Sequence, residues 1–69
     1  MSGHITVIQE RRFLLATDEG QGCQLTLAHD ATVDIDVLRR YQDRHTHVDV
    51  MYSGDPGVQS GVAHTVEPH

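Results

Sequence analysis

Apolar and polar residues alternate over short stretches separated by turn-forming residues, the pattern of a chain built from strands. The first stretch, His4 to Glu10, sets Ile5 and Val7 on one face and His4, Thr6 and Glu10 on the other, with Ile8 out of step. In the second, Arg12 to Asp18, the segment Phe13-Leu14-Leu15-Ala16-Thr17 is almost continuously apolar, which predicts a central strand buried on both sides. Asp18-Glu19-Gly20-Gln21-Gly22 supplies glycines that accept positive φ and reads as a hairpin connection. A third strand follows, in which Cys23, Leu25 and Leu27 alternate with Gln24, Thr26 and Ala28.

His29-Asp30-Ala31-Thr32 ends that strand, and the period then changes. Ile35, Leu38 and Tyr41 recur at helical spacing, with Arg39, Arg40 and Asp43 facing out, so the spacing predicts a two-turn helix from Ile35 to Asp43 capped by Thr32 or Asp34. A fourth strand, His45 to Tyr52, places Val48, Val50 and Tyr52 on one face and His45, His47, Asp49 and Met51 on the other. Ser53-Gly54-Asp55-Pro56-Gly57 reads as a turn, and Gln59 to Val66 as the fifth strand. Five short strands with one short helix between the third and fourth predict an all-β fold, a small Greek-key barrel of the oligonucleotide/oligosaccharide-binding (OB) type, with an SH3-like barrel as the alternative. Residues 1–69 are expected to form one small domain, because 69 residues cannot build two cores.

Composition narrows the functional classes. No apolar run approaches the roughly 20 residues that span a bilayer, and Met1-Ser2-Gly3-His4 lacks the basic and apolar regions of a signal peptide, so a cytoplasmic protein with no membrane association is expected. The single cysteine, Cys23, excludes an intramolecular disulfide and a cysteine-rich zinc finger. All five basic residues are arginines, and ten carboxylates outnumber them to give a net charge of −5 with histidines neutral. Such a field opposes the counterion release that drives nucleic-acid binding. Six histidines make the balance sensitive to pH, since protonating all of them would bring the chain to +1.

Leu38-Arg39-Arg40, His47-Val48-Asp49-Val50-Met51-Tyr52, the Ser53–Gly57 turn and Gly61-Val62-Ala63-His64-Thr65-Val66 together resemble the last two strands of bacterial cold-shock domains. Arg11-Arg12-Phe13-Leu14-Leu15 and Leu25-Thr26-Leu27-Ala28-His29 stand where that family carries its two binding motifs, so the resemblance spans nearly the whole chain in spacing more than in identity. It implies a barrel that binds single-stranded nucleic acid by stacking bases on aromatic rings. The chain departs from the family at those rings: it has one Phe and two Tyr, and Thr26 and Ala28 occupy outward positions of the second motif. What the resemblance leaves for nucleic acid is Arg11, Arg12, Phe13 and His29, with Arg39 and Arg40 as a second basic pair.

Other chemistry is sparse. His45, His47 and Asp49 alternate along one predicted strand face, but same-face neighbours lie about 6.6 Å apart and the outer pair about 13 Å, so one ion needs a further ligand. His64 on the neighbouring strand is the candidate, making His45, His47 and His64 a potential metal set. Cys23 reads as a small core residue and Gly20-x-Gly22 as a hairpin and not a phosphate cradle, so no catalytic set and no cofactor are expected. Arg11-Arg12 and Arg39-Arg40 read first as solvated arginines pairing with Glu10, Asp36 and Asp43. The leading expectation is a non-enzymatic interaction or accessory module that binds another protein through a strand or sheet face. A degenerate single-stranded nucleic-acid binder and a histidine-dependent metal binder are the alternatives, and a homodimer would add to a small core.

Overall fold

A computed structural model describes residues 1–54 and 61–69. Its elements are β1 (Ser2–Gln9), β2 (Arg12–Thr17), β3 (Gly22–Leu27), α1 (Ile35–Asp43), β4 (Val48–Ser53) and β5 (Gly61–Pro68). The strands close into a barrel in the order β1-β2-β3-β5-β4, with every neighbouring pair antiparallel except β3 and β5. This five-stranded closed barrel with one short helix between β3 and β4 is the predicted fold class, consistent with an OB-like barrel. Asp55 to Gly57 of the expected turn, and the expected start of the fifth strand at Gln59, lie outside the described residues. Among the described residues no helix is long and apolar enough to cross a membrane.

Inward-pointing side chains fill the barrel. Phe13 and Leu15 from β2, Leu25 and Leu27 from β3, Val48 and Val50 from β4 and Val66 from β5 are all buried, and Leu38 of α1 joins them. The helix forms where its spacing predicts. Asp34 is the cap, its side chain accepting from the Val37 amide at 3.1 Å, while Ile35 and Tyr41 flank Leu38 against the core.

Several strands depart from strict alternation. Register along β1 shifts between Ile5, opposite Leu15, and Val7, opposite Leu14, so Thr6 is an extra residue in the ladder. The bulge reverses which side chains face inward: Ile5 is buried, Val7 is exposed, and Ile8, out of step in the sequence pattern, packs against the core. A second register shift, between Met51 and Tyr52, makes His64 the extra residue of β5, so the inward positions of that strand pass from Ala63 to Val66, while Tyr52 of β4, expected inward, is exposed. The apolar run of β2 proves buried on one side only, since Leu14 points outward between inward Phe13 and Leu15. Ala28, expected outward, is buried where its amide donates to Ala63 beyond the end of β3.

The fourth strand begins at Val48 and not at His45. His45 has φ 52°, its amide donates to the Gln42 carbonyl, and the Thr46 amide donates to Tyr41, which is a Schellman closure of α1. His45 therefore belongs to the helix cap and not to a strand face. Gly3 illustrates a different constraint. It pairs with Thr17 of β2 and Val48 of β4, and a Cβ there would lie 2.1 Å from the Ala16 carbonyl oxygen.

Two substitutions test these backbone requirements by chemical denaturation. Gly3→Ala should lower stability by about 1–3 kcal/mol through overpacking against backbone, and an unchanged midpoint would contradict the close approach. His45→Gly should raise stability by about 0.5–1 kcal/mol by relieving the left-handed conformation, whereas a loss would mean the imidazole supplies more than the strain removes.

Candidate functional site

Two places on the barrel gather side chains with something to do. The first is the outer face of β1, β2 and β3. Cross-strand register sets Leu14 opposite Val7 on one side and Gln24 on the other, and sets Arg12 opposite Gln9 and Thr26. Leu14 and Val7 are 36% and 46% exposed although both are aliphatic, so this face presents apolar surface to solvent beside one guanidinium. Together with Gln9, Gln24 and underlying Phe13 they line a concavity of about 220 Å³.

The second place is the rim where β1 meets β4. His47 Nε2 lies 2.8 and 2.9 Å from the two carboxylate oxygens of Asp18, bridging the approach to β4 and the turn after β2. Asp49 accepts from the Ser2 hydroxyl and lies 2.8 Å from His69 Nδ1. The imidazoles of His4 and His69 sit 5.2 and 4.4 Å from that of His47, centroid to centroid. Residues far apart in the chain thus form one cluster of three histidines and two aspartates. The Ser2 hydroxyl, followed by the His69 ring, holds Asp49 below the ordinary 3.8, against the opposing effect of desolvation.

The residues singled out from sequence fall as follows. Phe13 is 2% exposed, so its ring belongs to the core and offers no face to a base. The even alternation of β2 sends the ring inward and leaves Leu14 in the outward place. Arg11 is tied down, donating from Nε to Leu27 at 3.3 Å and from Nη2 to Ala28 at 2.7 Å, while Arg12 remains on the outer face. His29 is exposed in the turn after β3, and Arg39 and Arg40 are exposed on α1. Cys23 is half-buried.

The proposed metal set is not assembled. His45 is in the helix cap, His47 is paired with Asp18, and His64 Nε2 sits 2.8 Å from the Ser53 hydroxyl. Among the described residues no group of three His, Cys, Asp or Glu side chains is arranged to hold an ion. The expected ion pairs of the arginines with Glu10, Asp36 and Asp43 are also absent among the described residues, where the ion pairs are His47–Asp18 and His69–Asp49. Sequence reasoning missed His4, Asp18 and His69. Their only signal was the abundance of histidine, since barrel closure and not local spacing brings them together.

Comparison of the chain with family models, curated proteins and solved structures returns no match.

The lowered Asp49 carboxyl sets a direction for acid stability. A carboxylate that binds its proton less readily when folded stabilises the fold above its unfolded value near 3.8, and that contribution is lost as pH falls through the lower folded value. Between pH 5 and 2, Asp49→Asn should flatten the dependence of melting temperature on pH. Parallel curves for variant and wild type would remove Asp49 from acid sensitivity.

Proposed function

We propose that the chain is a non-catalytic interaction module that binds a protein partner through the outward face of β1, β2 and β3. The observation that carries the reading is the exposed aliphatic pair Val7 and Leu14, side by side in register around a concavity next to Arg12. Burying an aliphatic side chain of that size contributes about 1.5–3 kcal/mol. The amides of Gln9 and Gln24 and the Arg12 guanidinium give the patch the polar rim and arginine common at protein interfaces. The partner segment that suits it carries an aliphatic or aromatic residue for the apolar pair and a carboxylate for Arg12. A cytoplasmic setting, reducing enough to leave the one cysteine as a thiol, accompanies this reading.

Cold-shock-like binding of single-stranded nucleic acid is the second reading, supported by the OB-like barrel and by Arg12 on the same face. It lacks the stacking surface, because Phe13 faces the core and the outward positions beside Arg12 are Leu14, Gln9 and Gln24. Net charge opposes it as well.

Selection of a displayed random-peptide library on the folded chain, with isolated peptides re-measured by calorimetry, separates the two. Enriched peptides with an apolar residue near Asp or Glu should bind wild type and lose at least about tenfold in affinity to Leu14→Asp, a loss of about 1.4 kcal/mol or more. Failure to enrich, or equal binding to a folded Leu14→Asp, sinks the protein-binding reading. Salt-steep binding of a mixed single-stranded oligonucleotide pool, abolished by Arg12→Ala, would put the second reading in its place.

A further inference from the structure

On other elements than the face just described, α1 and β5 border a groove of about 310 Å³ lined by Val37, Arg40, Tyr41, Arg44, Thr46 and Pro68. We propose that it binds a phosphate monoester carrying an apolar group. Helical spacing of four residues stacks Arg40 and Arg44 on one face, with Cβ atoms about 6 Å apart. The left-handed His45 turns the chain back so that the Thr46 amide donates to the Tyr41 carbonyl at 2.9 Å, which places Thr46 beside Tyr41 in the lining of the same groove as Arg40 and Arg44. The cap that ends the helix is therefore also what assembles the donors.

Charge selects the ligand. Asp34, which accepts from the Val37 amide, Asp36, one turn before Arg40, Asp43 beside Arg44, Asp49, three residues after Thr46, and Glu67 beside Pro68 are the carboxylates close in sequence to the groove. None forms an ion pair with either arginine, and among the described residues both guanidinia are without a carboxylate partner. Two like charges left adjacent in this way repel, and an anion between them relieves the repulsion. The negative end of the α1 dipole is close by and works against an anion, so binding must come from the side chains and not from the helix backbone. Two guanidinium forks, with Thr46 and Tyr41 in the same lining, suit an anion with more oxygens than the two of a carboxylate. A phosphate monoester presents three terminal oxygens and a charge of about −1.5 to −2. Val37, Pro68 and the Tyr41 ring provide an apolar wall for the carbon group of the ester.

The test is an amide NMR titration of the folded chain at low salt and pH 7.5 with phenyl phosphate, and with inorganic phosphate and benzoate as comparisons. Phenyl phosphate should produce saturable shifts centred on residues 40–46, with inorganic phosphate weaker and benzoate at least about tenfold weaker. Arg40→Ala, which keeps a good helix former in α1, and Arg44→Ala at the exposed C-cap should each lose at least about tenfold in affinity, and Arg→Lys at either position should lose part of it. Shifts that never saturate, benzoate binding as tightly as phenyl phosphate, or undiminished binding to the folded alanine variants would each overturn the proposal. None of these outcomes bears on the face formed by β1, β2 and β3.

Discussion

Closure of the barrel depends on β1 pairing with two strands at once. From Gly3 to Gln9 it runs against β2, and at Ser2 and Gly3 it also runs against β4. A straight strand cannot follow both neighbours around so small a cylinder. The extra residue at Thr6 supplies the bend, and Gly3, at the point where both pairings overlap, supplies the room. The Met1 ammonium and carbonyl extend the join by bonding the carbonyl and amide of Val50. Ser2, Asp49 and His69 then cross-link it through side chains.

The same constraint determines what lies outside. A bulge that turns Ile5 and Ile8 inward must turn Val7 outward, where it meets Leu14. The exposed aliphatic pair is thus a geometric product of closure, and the presence there of Val and Leu and not of polar residues is what invites a binding interpretation. The guanidinium groups divide between structure and surface in a similar way. Arg11 satisfies carbonyls at the end of β3, and its neighbour Arg12 is left on the outward face.

Local pattern made the element order and the helix legible, because Asp34 is a strong cap and Ile35, Leu38 and Tyr41 keep one face apolar. It also marked Leu25, Leu27, Val48 and Val50 as core. Bulges were not legible: an inserted residue leaves composition untouched while reversing every side chain beyond it on its strand, as Val7 in β1 and Val66 in β5 show. A continuous apolar run such as Phe13-Leu14-Leu15 does not say which of its faces is covered. His45 misled for another reason, since alternation with His47 and Asp49 imitates a strand where the backbone is reversing out of a helix. The histidine and aspartate cluster could not be read at all, because it joins segments that only the closed barrel makes neighbours.

That join has a kinetic side. The β1–β2, β2–β3 and β4–β5 pairings link strands that follow one another, whereas the bonds between Ser2 and Asp49 and between Met1 and Val50 span 47 and 49 residues. Long loops must lose their entropy before such contacts return any energy, so hairpins form early and the β1–β4 join forms late. Bonds made after the transition state slow unfolding more than they speed folding. The cluster of His4, Asp18, His47, Asp49 and His69 accordingly acts as a latch, governing how long the closed barrel persists and leaving the rate of its formation to the hairpins.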